Sequence, residues 1–233
     1  KDEKQHFAWQ TSWGVSWRLI GALIMIHGDD KGLILPPKIS PIQVVVIPIY
    51  YNEEQKKDIL KISKEIVEQF EKNNIRITID SNEQYTPGWK FNHWEMKGVP
   101  IRIEMGPKDL DKDSITIVRR NTKEKKQIKI TDNLVNQIIE ELDNIQVQLF
   151  DTAKKKQKEM IHEVNSYIDL CQRLKNDKGF MKANWCESVE CEDKIKEETG
   201  ADIRLLIDKE KIWGECISCS KKTTTKVYFA KSY

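Results

Sequence analysis

The chain has 233 residues, of which 39 are Lys or Arg and 37 are Asp or Glu, so its formal net charge is only +2. This balance excludes a polycation, and any surface for nucleic acid must therefore be local. The longest apolar runs, residues 19–26 and 42–51, are about half as long as a membrane-spanning helix. We expect a soluble protein with one compact domain and a smaller appendage.

The first segment, residues 1–40, is dense in tryptophan. Alternating apolar residues up to Trp13 predict a strand, Gly14 predicts a turn, and the residues from Ser16 onward predict a helix that ends near His27. The helix would carry Arg18 in its first turn beside a glycine turn, which is typical of an anion-binding corner. A core strand and a helix with a surface arginine explain the same pattern.

The second segment, residues 41–150, alternates strand and helix patterns. Prolines at positions 36, 37 and 41 favour extended chain and mark its start. Strands are predicted at residues 42–49, 75–79, 99–105, 114–118 and 127–130, and helices at residues 53–73 and from about residue 131. Strands joined by a crossover helix predict an α/β fold with a mixed, partly parallel sheet and flanking helices.

The third segment, residues 151–233, ends in a cysteine-rich tail. The preceding helix is predicted to continue into the lysine run at residues 154–158 as a solvated face, and residues 161–174 show helical spacing. Four cysteines then form a C-x4-C pair and a C-x2-C pair, which is typical of a structural Zn²⁺ site: Cys186, Cys191, Cys216 and Cys219. Two disulfides or four unrelated thiols are the alternatives. Cys171 is predicted to be a buried helix residue.

Three blocks of sequence carry a family resemblance. They are Gln10-Thr-Ser-Trp-Gly-Val-Ser-Trp-Arg18 with residues 28–37, the stretch of residues 85–102 with residues 104–109, and the four-cysteine tail that ends in Lys231-Ser-Tyr233. In this order they resemble prolyl-tRNA synthetase of the eukaryotic and archaeal type. The resemblance implies that residues 1–40 end a class II catalytic domain with its motif 3. Residues 41–150 would form a class IIa anticodon-binding domain, and residues 151–233 a small α+β zinc-binding domain.

The resemblance assigns roles to residues of the first segment. It implies that Arg18 is the catalytic arginine that clamps the ATP phosphates, and that Gln10 and Ser16 also contact the nucleotide. The wall of the proline pocket is implied to comprise Ser12, Trp13 and Gly14. Tyr233 is implied to reach back toward the catalytic pocket. Motifs 1 and 2 of the family do not occur in the 233 residues, so we expect this chain alone to be inactive.

In the same family the anticodon ends in two guanines, and the residues implied to read it are Glu95, Arg102, Lys108 and Lys125. A carboxylate accepts from the N1 and N2 donors of guanine, whereas Arg and Lys donate to O6 and N7. From spacing alone, Glu95 and Arg102 are equally explained as an ordinary ion pair. Three aromatic residues in the same block either stack on bases or belong to the core, and the histidine among them is predicted to be structural: Trp89, Phe91, Trp94 and His93.

The resemblance implies a cytoplasmic proline–tRNA ligase that activates proline with ATP and Mg²⁺ and transfers it to tRNA(Pro). Such an enzyme would be a homodimer through its catalytic domain and would have no membrane partner. The present chain would complete the ATP site and recognise the anticodon. One alternative is a non-catalytic, regulatory tRNA-binding module, and another is a zinc-stabilised interaction scaffold. The presence of Gln10, Ser16 and Arg18 favours the enzyme, since a module that only binds tRNA needs no residues for ATP.

Overall fold

A computed structural model describes residues 8–207 and 213–232. The chain divides into two compact units between Asp151 and Thr152. Within the described ranges, every helix is too short or too polar to cross a membrane.

The first unit begins with an irregular segment and helix α1, Arg18–His27. The strand predicted up to Trp13 is wrong, because residues 8–16 adopt no regular structure. A strand needs a hydrogen-bonding neighbour, and this segment has none within the described residues. No residue of α1 is buried, although the helix is largely apolar.

A five-stranded sheet forms the centre of the first unit. Its elements follow in the order β1 (Val44–Pro48), α2 (Glu53–Lys72), β2 (Ile77–Ile79), α3 (Pro87–Met96), β3 (Ile101–Met105), α4 (Pro107–Leu110), β4 (Ser114–Arg119), β5 (Lys125–Lys129) and α5 (Leu134–Glu159). The strand order is β2-β1-β3-β4-β5, with β1 parallel to both neighbours and the last two pairs antiparallel. The predicted α/β class with a mixed sheet is confirmed.

One face of this sheet is covered by apolar residues of α2 and α5. Phe70 of α2 and Ile138 of α5 are fully buried against strand residues such as Ile103. Replacing Phe70 with alanine would cost about 3–5 kcal/mol of stability, because the cavity could close only in part. Helix α5 continues through the lysine run at residues 154–158, whose side chains are exposed as predicted.

The opposite face of the sheet is covered only in part, and this positions the candidate site. Helix α3 begins at Pro87, where the Thr86 side chain accepts a hydrogen bond from the backbone N–H of Trp89. Phe91 and Trp94 of α3 pack on Val45 and neighbouring residues of the parallel half. The antiparallel half, β3 to β5, presents mainly polar side chains on the same face.

The second unit contains β6 (Ile161–Glu163), α6 (Tyr167–Asn176), β7 (Phe180–Asn184), α7 (Val189–Thr199), β8 (Ala201–Ile207), β9 (Gly214–Glu215), β10 (Lys222–Thr223) and β11 (Lys226–Lys231). Its main sheet has the order β6-β7-β11-β8, and β9 and β10 form a separate pair. The helix predicted over residues 161–174 is wrong in its first part, because residues 161–163 pair with β7. Cys171 lies on α6 as predicted but is half-buried.

Candidate nucleic-acid interface and metal centre

Strand alternation places two rows of polar residues on the open face of β3, β4 and β5. Arg102 lies opposite Val118, which in turn lies opposite Lys125. In the next row of the same face, Glu104 and Gln127 flank Thr116. Because side chains two residues apart on a strand share a face, Arg102 and Glu104 are neighbours.

Glu104 is the centre of a charged cluster. Its Oε1 accepts from Nε and Nη2 of Arg102 at 3.1 and 2.8 Å, and its Oε2 lies 3.0 Å from Nζ of Lys125. The Glu104 side chain is only 11% exposed. The contacts use two of the three guanidinium nitrogens, so Arg102 keeps N–H donors for a ligand. The sequence prediction gave Glu104 no role, although its two-residue spacing from Arg102 is the signal that would have found it.

A pocket of about 180 Å³ brings three of the predicted recognition residues together. Glu95, Arg102 and Lys125 all line it, and further cationic residues line it as well: Lys31, Arg119, Arg120 and Lys123. The lining therefore combines a carboxylate acceptor with an excess of cationic donors. Lys108 lies on α4 with an exposed side chain and is not among the lining residues.

The ion pair that spacing allowed between Glu95 and Arg102 is not the one that forms. Arg102 pairs with Glu104, and its guanidinium carbon lies 4.4 Å from the centre of the Phe91 ring. The Glu95 backbone carbonyl accepts a hydrogen bond of 2.8 Å from Nε of Arg120. Glu95 is thus held by its main chain at the rim of the pocket.

The aromatic residues of α3 divide between the core and the surface. Phe91 and Trp94 belong to the apolar cluster behind the pocket, and the Trp94 Nε1–H donates to Asp80 at 2.7 Å. Trp89 is 43% exposed and lies between the rings of Tyr85 and His93, with centroid distances of 3.7 and 4.8 Å. His93 therefore has a packing role, and Trp89 presents the more accessible ring.

The predicted nucleotide and proline contacts of the first segment lie on exposed chain. Gln10, Ser12, Trp13, Gly14 and Ser16 are in the irregular segment, and Arg18 is the first residue of α1. The side chains are all exposed, so this stretch does not enclose a ligand by itself. The predicted contact of Tyr233 lies outside the described residues.

The four cysteines of the tail converge on one point. Cys186 follows β7, Cys191 lies in the first turn of α7, and the turn between β9 and β10 carries Cys216 and Cys219. That turn is closed by hydrogen bonds of 2.9 Å from the Cys216 N–H to the Lys221 carbonyl and from the Ser220 N–H to the Cys216 carbonyl.

Their geometry suits a tetrahedral metal. The four sulfur atoms all lie within 4.8 Å of one another, and Cys186 Sγ is 3.6 Å from Cys191 Sγ and 3.7 Å from Cys219 Sγ. A tetrahedron with Zn–S bonds of about 2.3 Å has edges of about 3.8 Å. All five cysteines of the chain lie in the described ranges and are free thiols, so the disulfide alternative is wrong.

The protonation of the cysteines differs across the cluster. Burial raises the pKa of the Cys186 thiol to about 12, whereas a hydrogen bond from the backbone of Lys221 lowers the pKa of Cys219 to about 7. Buried thiols that crowd together disfavour the thiolate form unless a cation compensates the charge. Such a donor set fits a divalent metal, whose binding would release protons.

Each of the two units matches a known protein family. Residues 43–141 match the family described as "Anticodon binding domain", and residues 167–233 match "Prolyl-tRNA synthetase, C-terminal". A "Proline--tRNA ligase" of Cenarchaeum symbiosum is 46% identical over 233 residues, which cover 100% of this chain and 48% of that protein. One of Natranaerobius thermophilus is 43% identical over 235 residues, again covering 48% of its length.

A solved structure agrees with these sequence matches. The crystal structure of prolyl-tRNA synthetase from Cryptosporidium parvum, complexed with L-proline and AMP, superposes with a TM-score of 0.84 at 40% identity. The match covers 93% of this chain and 46% of the other. The chain thus spans about half the length of the relatives it matches, and the matched families place it in their carboxyl-terminal part. The chain belongs to the prolyl-tRNA synthetase family.

Proposed function

We propose that this chain is the tRNA-recognising part of a proline–tRNA ligase, an enzyme that activates proline with ATP and transfers it to tRNA(Pro). The observation that carries the proposal is the pocket on the open sheet face, where Glu95, Arg102 and Lys125 meet. Relatives named "Proline--tRNA ligase" match the chain from end to end, which favours the enzyme over a non-catalytic module.

The pocket is chemically complementary to guanine. The Glu95 carboxylate only accepts hydrogen bonds and suits the N1 and N2 donors of the base. Arg102 and Lys125 only donate and suit O6 and N7. Glu104 orients both cations without using all of their donors, so the site is organised before a base arrives. The side chain of Lys108, exposed on α4, would add a contact outside the pocket.

The first segment would supply part of the ATP site when the remaining catalytic domain surrounds it. Arg18 would hold the phosphates of ATP with Mg²⁺, beside Gln10 and Ser16, and the Ser12-Trp-Gly14 turn would border the proline pocket. The complete enzyme would act as a cytoplasmic homodimer.

We propose Zn²⁺ as the metal of the four-cysteine cluster. Four thiolates at tetrahedral spacing select a soft or borderline ion, and closed four-coordinate sites of this kind are structural. Cys186, Cys191, Cys216 and Cys219 would use all positions of the ion. The metal would therefore tie β7 and α7 to the β9–β10 turn and would take no part in the reaction.

The recognition proposal is tested by binding of the 233-residue chain to two RNAs at one salt concentration. The cognate RNA is a tRNA(Pro) transcript whose anticodon ends in two guanines, and the variant RNA carries adenines at those two positions. Because each lost base contact costs about 1–3 kcal/mol, we expect the variant RNA to bind at least about tenfold more weakly. Equal Kd values for the two RNAs would refute anticodon recognition by this chain.

A further inference from the structure

We propose that Asp29 and Arg120 are positioning residues for anticodon recognition, because together they fix the carboxyl end of α3 and with it Glu95. Neither residue was singled out by its sequence context, since 91 positions separate them. The inference rests on the proposed function, in which the Glu95 carboxylate reads guanine.

Arg120 joins Asp29 to the carboxyl end of α3 through all three of its guanidinium nitrogens. Its Nη2 lies 2.6 Å from Oδ1 of Asp29, its Nη1 lies 2.9 Å from Oδ2, and its Nε donates to the Glu95 carbonyl at 2.8 Å. The Arg120 side chain is only 3% exposed. A bidentate pair with a third bond at Nε leaves the buried guanidinium one orientation, so the Glu95 carbonyl has a fixed anchor.

Asp29 is held as a charged partner. The Arg120 guanidinium keeps the pKa of the Asp29 carboxyl well below its usual range, and the Lys31 backbone N–H donates to the same carboxylate at 2.9 Å. Lys123 lies 3.9 Å away and adds a further positive charge. Asp29 is therefore ionised at neutral pH and keeps the pair intact.

The chain after Asp29 runs against the backbone that follows Glu95. The Leu33 N–H donates to the Met96 carbonyl at 3.0 Å, and the Leu35 N–H donates to the Gly98 carbonyl at 3.2 Å. Gly32 and Gly98 both have positive φ, at 130° and 75°. A Cβ atom on Gly32 would lie 2.6 Å from the Met96 backbone, and one on Gly98 would lie 2.6 Å from Leu33. The close approach needs both glycines.

This clamp, formed by Asp29, Arg120 and the paired backbone, holds the residue that supplies the pocket's carboxylate. A hydrogen-bonding group must stay within about 0.5 Å of its productive position to discriminate between ligands. Loosening the clamp would therefore misplace Glu95 relative to Arg102 and Lys125. Contacts to phosphate carry no base information and would be kept, so discrimination should fall more than general RNA affinity.

An arginine away from the pocket provides the control. Arg76 also anchors backbone carbonyls through its guanidinium: Nε donates to the Ser40 carbonyl at 2.8 Å and Nη2 donates to the Pro37 carbonyl at 2.9 Å. Arg76 is not among the residues that line the pocket. Arg76→Lys thus weakens an arginine anchor of the same unit without changing a pocket residue.

The test measures the ratio of the Kd for the variant RNA to the Kd for the cognate RNA. Arg120→Lys keeps the charge but loses the planar fork, and Asp29→Asn keeps the shape but loses the charge. We expect both to lower the ratio at least about fivefold while the Kd for the variant RNA changes less than about twofold. Arg76→Lys should keep the wild-type ratio. Circular dichroism establishes that each variant is folded.

The outcomes separate this inference from the proposed function. A wild-type ratio near one would refute guanine reading and the inference with it. A wild-type ratio well above one that survives in Arg120→Lys and Asp29→Asn would refute only the positioning role. An equal fall of the ratio in Arg76→Lys would assign the effect to general destabilisation and would also overturn the inference. Asp29→Asn decides alone if Arg120→Lys fails to fold, because the Asp29 side chain is 32% exposed.

Discussion

At the scale of single residues, the pocket proposed to read the anticodon contains two cations that share one carboxylate. Arg102 and Lys125 were predicted from the family resemblance, and the structure places both beside Glu104. The Asp29–Arg120 pair could not be predicted, because contacts between residues so distant in sequence depend on the tertiary fold. Lys108 was predicted from the same family resemblance as Arg102, but it lies on α4 and is not among the residues that line the pocket.

Replacing Glu104 with glutamine tests whether its charge organises the site. The amide keeps the size of the side chain, but its hydrogen bonds to Arg102 and Lys125 lose their ionic character and weaken. We expect the ratio of variant to cognate Kd to fall about threefold to tenfold, while general RNA affinity rises because a negative charge is lost. Binding titrations of both RNAs measure the two effects.

Glu163→Gln is the matched control, since this exposed residue of the second unit also pairs with a lysine, Lys182. It makes the same change of charge away from the pocket residues. An unchanged ratio in Glu104→Gln, or the same fall in Glu163→Gln, would show that Glu104 does not organise the site.

The Asp29 carboxyl should make the stability of the fold depend on pH. Its hydrogen bond with Arg120 lowers its pKa in the folded state, so it stabilises the fold fully above its unfolded-state pKa of about 3.9. That stabilisation is lost as the pH falls toward the folded-state pKa. Urea unfolding should show wild type to be more stable than Asp29→Asn at pH 7 and pH 5, with a smaller difference at pH 3. A difference that grows on acidification would contradict this sign.

At the scale of secondary-structure elements, the sequence predicted those elements whose apolar residues recur at the spacing of their buried face. Helix α2 places Ile59, Ile66 and Phe70 on one face, and its predicted bounds agree with Glu53–Lys72. The pattern failed where pairing decides the structure. Residues 161–163 form a strand because β7 lies beside them, and residues 8–16 form none because no strand pairs with them among the described residues.

The four-cysteine cluster includes the turn between β9 and β10, two strands of only two residues each. We expect the purified chain to hold one equivalent of Zn²⁺, and Cys216→Ser to lose most of it and to unfold at a lower temperature. Acidification should release the metal, because thiolate ligands then take up protons. Metal analysis and thermal unfolding with and without a chelator measure these effects.

Cys171→Ser serves as the control for this experiment, because Cys171 lies on α6 and is not one of the four converging cysteines. It should keep a full equivalent of zinc. A wild-type protein with less than half an equivalent after refolding with Zn²⁺, or equal metal loss in both variants, would contradict the assignment.

At the scale of the whole molecule, a net charge of +2 leaves recognition to a few directed contacts. The chain also carries an exposed apolar helix α1, with Leu19, Met25 and Ile26 each more than half exposed. Isolated apolar helices of this kind are rare on free surfaces. The chain spans only about half of its relatives' length, and the residues proposed to contact ATP, Gln10, Ser16 and Arg18, lie on exposed chain.

The isolated chain should therefore show no proline-dependent exchange between pyrophosphate and ATP. Arg18, Gln10 and Ser16 are exposed and do not enclose a nucleotide, so they cannot stabilise charge on the reacting phosphate. A radioactive exchange assay with and without proline checks this expectation. Exchange that depends on proline and disappears in Arg18→Ala would show that the chain forms a complete site by itself.

The most direct test of the central claim compares Arg102→Ala with wild type on both RNAs at fixed salt. A base-reading arginine should lose about 1–3 kcal/mol of binding to the cognate RNA, which is about 5- to 150-fold in Kd. Its binding to the variant RNA should change less than about twofold. Arg173→Ala, which removes a half-buried ion-paired arginine from the second unit, should leave both Kd values unchanged. Equal losses on the two RNAs in Arg102→Ala would contradict the account and reduce Arg102 to a phosphate contact.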